Sequence, residues 1–553
     1  PDETLKATSD QLRGTIEESL ADPITGGVLF SDNKLMKFHG IYQQDDRDLR
    51  DERRRQKLEP AYQFMIRVRL PGGVCTPERW LRLDEIGRRY ADGTLRLTTR
   101  QTFQFHGVLK GNLKRSIQAM HSVLLDTIAA CGDDARGVMC SVNPHRSAIH
   151  AEVYRIAKAA SDHAIPRMPA YHEIWLGKER VAGSGPEEPF YGKQYMPRKF
   201  KIGFGFPDDN CTDVHSNDLG LLAIPEAGRL RGFNVLVGGG LGQTHNKPDT
   251  FPRLADPLVF VEPHELVEVA KAVIAVQRDY GNRENRKRAR LKYVLAERGV
   301  EWFREQVEQY VGRPLADPLP VEVSGIEDHL GWHEQGDGRL FRGVWVENGR
   351  VLDREGLQLR TAVREIVARF GTGVHLTTQQ NLLLVDIAPE DREAIDEILR
   401  EHGVLAPGEL TEARRWAMAC PAIPTCPLAV AESERVMPQL IDELEIALAR
   451  LGLADESLTV RMTGCPNGCA RPYTADLAFV GRSLNKYVVY VGGNLEGTRL
   501  GTEYATLVPF DELVETVRPL FERFRDERLP EERFGDFWNR VGVEPLQPAG
   551  ASR

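Results

Sequence analysis

Apolar positions along the chain change period several times. Residues 263–280, PHELVEVAKAVIAVQRDY, and 438–452, PQLIDELEIALARLG, carry apolar side chains at helical spacing and predict amphipathic helices. Between such stretches run short segments rich in Val, Leu and Phe, which predict strands. Two of them recur. TLRLTTRQTFQFHGV (94–108) is echoed by GVHLTTQQNLLLVDI (373–387), each reading as strand, LTT turn, strand. FNVLVGGGLG (233–242) is echoed by YVVYVGGNLEG (487–497), and each follows an Asp-Leu segment, NDLGLLAI or ADLAFVG. Two echoes in the same order predict a duplicated unit. Strand runs and helix runs without regular short βαβ alternation predict an α+β fold with an internal pseudo-twofold.

The chain has 553 residues, 41% hydrophobic and 28% charged, enough for three or four domains of roughly 100–200 residues. No run of about 18 apolar residues occurs, so no membrane role is expected. A formal net charge of -9 gives no global attraction to nucleic acid. RENRKRARLK (283–292) is locally basic and reads as a solvated helix face, with an anion anchor as the alternative. YQQDDRDLRDERRRQKLEP (42–60) is dense in charge without an apolar stripe, and reads as a solvated segment or as an arm lying over another surface. In VGGGLG, Gly238, Gly240 and Gly242 give G-x-G-x-G, and Gln243 stands where a dinucleotide fingerprint needs glycine, so no nicotinamide site is indicated. Such a turn can still bring backbone N–H groups to an anion.

Eight cysteines are too few for a disulfide scaffold in a chain this long, which points to a reducing compartment and a cytoplasmic location. Position 1 is proline, so the absence of a leader carries no weight. Half of the cysteines fall within 50 residues. ACPAIPTCPLA (419–429) and TGCPNGCARP (463–472) supply Cys420, Cys426, Cys465 and Cys469 in a C-x5-C, 38-residue gap, C-x3-C pattern. Zinc knuckles favour C-x2–4-C, whereas iron–sulfur clusters accept looser spacing, so a [4Fe–4S] cluster is preferred over zinc.

Four segments set cations on strands or rigid turns. MIRVRLPGG places Arg67 and Arg69 on one strand face. LRLTTRQTFQFHG sets Arg96, Thr98, Arg100, Gln104 and His106 against Leu97, Phe103 and Phe105. ARGVMC offers Arg136, and PRKFKIGFGF offers Lys199 and Lys201 flanking Phe200. Any one segment is explained by a solvent-facing strand; together, beside four cysteines, they suit a polyanionic ligand.

ACPAIPTCPLA with TGCPNGCARP resembles the signature of the sirohaem-dependent sulfite and nitrite reductases, and the similarity runs from LRGTIEE to FGDFWNRVG, nearly the whole chain. The resemblance implies an arm (1–64), a split ferredoxin-like α+β domain (65–129 with 332–407), and two duplicated cofactor-binding domains (130–331 and 408–553). It implies sirohaem and one [4Fe–4S] cluster held by Cys420, Cys426, Cys465 and Cys469, the last also bridging to the sirohaem iron. Arg67, Arg136, Lys199 and Lys201 match the residues around sulfite; Arg96, Thr98, Arg100, Gln104, His106, Arg198 and Asn467 fall where the family contacts the macrocycle. His106, beside two phenylalanines, reads equally as a packed core residue.

The implied activity is the six-electron reduction of sulfite to sulfide in assimilatory sulfur metabolism. Nitrite reduction to ammonia is the nearer alternative, and a non-catalytic metal-binding scaffold the more distant one. Nitrite-reducing relatives tend to carry asparagine where this chain has Lys201, which favours sulfite. With no dinucleotide or flavin segment, electrons must come from a partner, an NADPH-dependent diflavin subunit or else a ferredoxin.

Overall fold

The computed structural model of the chain describes residues 2–167, 174–176, 179–182 and 188–544. The strand-turn-strand echo forms two small sheets. Leu95–Leu97 pairs antiparallel with Phe103–Val108, and Gly373–Leu376 pairs antiparallel with Leu382–Ile387. Both turns need a left-handed residue, supplied at the same place in the echo by Gln101 and Gln380.

Each sheet continues outward with strands from its own half: Tyr62–Arg67 and Ile41–Asp45 in one, Leu340–Val344 and Gly331–Glu334 in the other. At the opposite edge the halves exchange strands. Val74–Cys75 from the first half pairs with Gly373–Leu376, and Arg350–Val351 from the second pairs with Leu95–Leu97. Phe64, Leu97 and Phe105 share one continuous core with Val344, Leu376 and Leu384. Neither half can separate without exposing it, because apolar area buried between them is the dominant stabilising term.

The other echo builds two larger sheets with the same internal logic. In the first, Ile202–Gly205 runs parallel to Leu219–Glu226, which continues antiparallel to Arg229–Val237 and then Asp256–Val261. In the second, Val460–Thr463 runs parallel to Leu477–Ser483, then Lys486–Val491 and Thr502–Pro509 follow antiparallel. Ile202 faces Leu219 as Val460 faces Leu477, and the step that relates these pairs carries Asp213 onto Arg471, both left-handed (φ 53° and 55°). It also carries Cys211 onto Cys469. The helices read from sequence are present as Leu266–Tyr280 and Met437–Arg450, each laying its apolar side on its own sheet.

Two sequence expectations need correction. Within 42–60, Arg50–Arg55 is an exposed helix, but Ile41–Asp45 is a hydrogen-bonded edge strand. Its polar residues hid it: Gln44 is buried and faces another polar residue, His106, so the strand lacks apolar alternation. The basic run 283–292 is not a solvated helix face. Arg286 grips Asp133 at 2.6 Å, Arg290 grips Asp218 at 2.6 Å, and fully buried Lys292 donates to the carbonyls of Gly240, Gly242 and Phe251. These partners lie far away in sequence, where no local pattern reveals them.

Candidate active site

The four-cysteine pattern folds into two loops brought together by parallel strands. Cys420 follows Met418–Ala419 and Cys465 follows Val460–Thr463, and these strands lie side by side. Close approach is possible because a Cβ on Gly464 would sit 2.5 Å from the Ala431 carbonyl, so only glycine fits there. Arg47 reaches across from the N-terminal segment and donates to the carbonyls of Cys426 (3.2 Å) and Ala429 (2.5 Å). Cys420 and Cys465 are buried, Cys426 is half-buried and Cys469 is exposed.

Two donors already address the sulfurs. The Gly464 N–H donates to Cys420 Sγ (3.4 Å), and the Asn467 amide donates to Cys465 Sγ (3.3 Å). Burial, and then the nearby Cys469 sulfur, push the Cys465 thiol up to about 12 and the Cys420 thiol well above its ordinary value. Thiolates so placed need a metal cation to stabilise them. Among the described residues, no three of the four sulfurs lie within 4.8 Å of one another. A single tetrahedral zinc with bonds of about 2.3 Å would draw them to about 3.8 Å. The donor set therefore fits a polynuclear cluster and not one zinc ion.

Lys201 lies within electrostatic reach of the exposed Cys469, and other cations gather around that lysine. Residues 135–139 run parallel to 200–203, with Arg136 N–H donating to the Phe200 carbonyl, which puts Arg136 beside Lys199 and Lys201. The LTT turn closes the same space, because Thr99 Oγ1 donates to the Cys469 carbonyl (2.9 Å). Thr98 Oγ1 accepts from the N–H groups of Arg100 (3.2 Å) and Thr102 (3.3 Å), so its part is to hold that turn. Arg100 spans to Asn217 Oδ1, Gly137 O and Ile202 O. Arg67 donates to Cys131 Sγ (3.0 Å), and its guanidinium faces the Gln104 side-chain amide, whose oxygen accepts from it once the amide is turned over.

Lys199 and Lys201 differ from these. Both are half-buried, and among the described residues neither ammonium has a hydrogen-bond or ion-pair partner. Burial, then Arg198, Lys201 and Arg136, hold Lys199 well below the usual lysine range. Burial, then Arg100 and Arg290, bring Lys201 to about 7. Unpaired, partly desolvated cations beside arginines are costly unless an anion joins them. A polycarboxylate macrocycle and an anionic substrate fit this chemistry.

The remaining expected contacts divide. Arg198 stands 3.8 Å from Asp133. Arg96, fully buried, donates to the Ala419 carbonyl (2.6 Å) and lies 3.4 Å from Glu434, while its Nε and Nη1 have no hydrogen-bond partner. It thus ties a strand of the first half to the entry of the Cys420 loop, with donor capacity left over for a ligand. His106 is buried with Nδ1 3.3 Å from Gln44, and burial, then Arg350, hold it neutral, which suits a core residue. Sequence reasoning missed Arg290 and its partner Asp218, which also accepts the Lys201 N–H (2.9 Å), and Arg47 over the Cys426 loop.

Glu434 is bound at 2.7 Å by Arg350 besides facing Arg96. Burial raises its carboxyl, but the two guanidiniums outweigh it and bring the pKa from 4.5 to about 2. A depressed carboxylate contributes stability above its unfolded pKa and loses it as pH falls toward the folded value. Glu434→Gln is therefore expected to lower stability at pH 7 by on the order of 3 kcal/mol. Urea midpoints of the two proteins should converge between pH 4.5 and 2. A gap unchanged at low pH would deny this ion-pair role.

Family comparison agrees with this geometry. The model of the nitrite and sulphite reductase 4Fe-4S domain matches residues 157–315 and 412–549, and that of the nitrite/sulfite reductase ferredoxin-like half domain matches 55–123 and 333–402. The chain is 53% identical to the sulfite reductase (NADPH) hemoprotein beta-component of Afipia carboxidovorans, over 98% of this chain and 94% of the relative. It is 50% identical to the protein of the same name from Geobacillus thermodenitrificans, over 98% and 95%. The NirA protein of Mycobacterium tuberculosis superposes with a TM-score of 0.77 at 28% identity, covering 97% of this chain and 94% of that one. Two matched cofactor domains and two matched half domains, in the order that the duplicated sheets display, place the chain in the nitrite and sulfite reductase family.

Proposed function

We propose that this chain reduces sulfite to sulfide in assimilatory sulfur metabolism, at a sirohaem coupled through Cys469 to a [4Fe–4S] cluster on Cys420, Cys426, Cys465 and Cys469. The observation that carries it is the pair of unpartnered ammoniums, Lys199 and Lys201, beside Arg136 and the exposed Cys469. When bound, the cofactor pair would relay six electrons, one at a time, from an external donor and would offer an iron to the substrate.

The chain's own residues do the rest. Arg67 and Arg136 are fixed by hydrogen bonds to Cys131 and Gly132, so their charge is already placed when a dianion arrives and need not reorganise. Lys199 and Lys201 hold transferable protons at Nζ. A lysine brought down toward neutrality gives up its proton more readily than an exposed one, and each S–O cleavage requires protons at the departing oxygen. We assign Arg100, Arg96 and Arg198 to carboxylates of the macrocycle, a reading supported by their charge and by the unpaired Nε and Nη1 of Arg96, and Asn467 to support of the Cys465 thiolate.

Nitrite is the second reading, favoured by the family's shared cofactors. Two ammoniums suit the more highly charged oxyanion, so Lys201→Asn is expected to lower kcat/KM for sulfite by roughly 10-fold to 100-fold relative to nitrite. Turnover with reduced methyl viologen measures the ratio. An unchanged ratio would remove Lys201 from substrate choice.

Electrons must reach the chain from outside, and an NADPH-dependent diflavin subunit is the donor we favour. The support is the printed name of the relatives, which specifies NADPH; a ferredoxin is the alternative. Among the described residues no helix is long and apolar enough to cross a membrane, and with sparse cysteines a cytoplasmic setting is the one we infer.

A further inference from the structure

The pseudo-twofold gives the cysteine loop a counterpart. Residues 206–218 connect the parallel strands of the first large sheet as 464–476 connect those of the second, and Cys211 stands where Cys469 does. The matching extends to contacts. Thr99 of one LTT turn donates to the Cys469 carbonyl, and Thr378 of the other donates to the Cys211 carbonyl. Yet the surroundings of the two sulfurs differ. Cys469 is exposed among cations; Cys211 is fully buried beside Asp209 and His329, which are 4% and 0% exposed.

The donor atoms of these three side chains, Asp209 Oδ, Cys211 Sγ and a His329 ring nitrogen, all lie within 4.8 Å of one another. His329 Nε2 is 3.0 Å from Asp209 Oδ2, a fully buried imidazole–carboxylate contact, and outside this trio neither atom finds a hydrogen-bond partner. That is the relation of two ligands aimed at one point: bonds of about 2.0–2.1 Å at a tetrahedral ion leave adjacent donors about 3.3 Å apart. The outer contacts fix the ligands. Asp209 Oδ1 accepts from the N–H groups of Cys211 and Glu327 (both 3.2 Å), which leaves Oδ2 for the interior. His329 Nδ1 lies 3.8 Å from Glu327 Oε2, a carboxylate near the ring but beyond hydrogen-bond distance. The backbone at His329 is left-handed (φ 59°) and pressed against Gly343, where a Cβ would meet the His329 carbonyl at 1.7 Å. A strained, buried histidine held by a required glycine marks a position the fold over-determines.

We propose that Asp209 Oδ2, Cys211 Sγ and His329 Nε2 form a mononuclear site for Zn²⁺, with water as the fourth ligand. One thiolate, one imidazole and one carboxylate suit a borderline ion. The ion would clasp the loop after Ile202–Gly205 to the segment that leads into Gly331–Glu334, joining the first large sheet to the second half-sheet.

The test is zinc analysis of the holoenzyme, purified from zinc-supplemented cells and dialysed, together with zinc-edge X-ray absorption, which iron does not obscure. About one zinc per chain is expected, in a shell of one sulfur at about 2.3 Å and three N/O donors at about 2.0–2.1 Å. Cys211→Ala and His329→Gln should each lower zinc at least 10-fold at unchanged iron content. Absence of zinc from the wild type, retention by either variant, or a shell of three or four sulfurs, which would put the zinc on the cluster cysteines, overturns the proposal. If a variant does not fold, the wild-type shell alone decides. Iron and sirohaem content read the proposed function separately.

Discussion

Serine in place of Cys469 is expected to abolish sulfite reduction, by at least roughly 10³-fold, while leaving a folded chain. The sulfur of Cys469 is exposed, and its backbone is held through the Thr99 bond to its carbonyl, which the substitution does not touch. The cores around Phe64, Val235 and Val489 do not depend on it. On the proposed reading, the substitution would remove one of four cluster thiolates and the link from cluster to sirohaem. Iron per chain and turnover with reduced methyl viologen, measured on the same preparation, check this. Full iron with full activity would mean that Cys469 is not a ligand.

Methionine at Lys199 should lower kcat/KM for sulfite by roughly 10²-fold to 10⁴-fold. The side chain is half-buried and its ammonium is unpartnered, so methionine keeps the apolar stem and breaks no protein contact. Removing a cation from a place where burial and four neighbouring cations already oppose it should stabilise the apoprotein. A more stable but inactive variant is the signature of a charge placed for ligand and not for fold. Lower stability together with full activity would contradict it.

Much of this was legible in the sequence because the duplication repeats its turn chemistry. The LTT echoes mark two hairpins whose left-handed glutamines, Gln101 and Gln380, stand at matching positions. The four cysteines could be read from their spacing, and the Arg136, Lys199 and Lys201 segments from cations set beside apolar runs. The exchange of Val74–Cys75 and Arg350–Val351 could not, since a two-residue strand has no period. Nor could the pairing of Arg286 with Asp133 or Arg290 with Asp218, where charge runs say nothing of distant partners. Asn467, expected at the macrocycle, also addresses a cysteine sulfur, and Cys211 gains Asp209 and His329, the latter more than a hundred residues away in the chain, only through the fold.

The most direct test is an anaerobic visible spectrum of the purified protein followed by kcat/KM for sulfite and for nitrite with reduced methyl viologen. Sirohaem absorption with the higher kcat/KM for sulfite is the expected result. A colourless protein, or a sirohaem-loaded one that prefers nitrite, would contradict the assignment of Lys199 and Lys201 to a sulfite site.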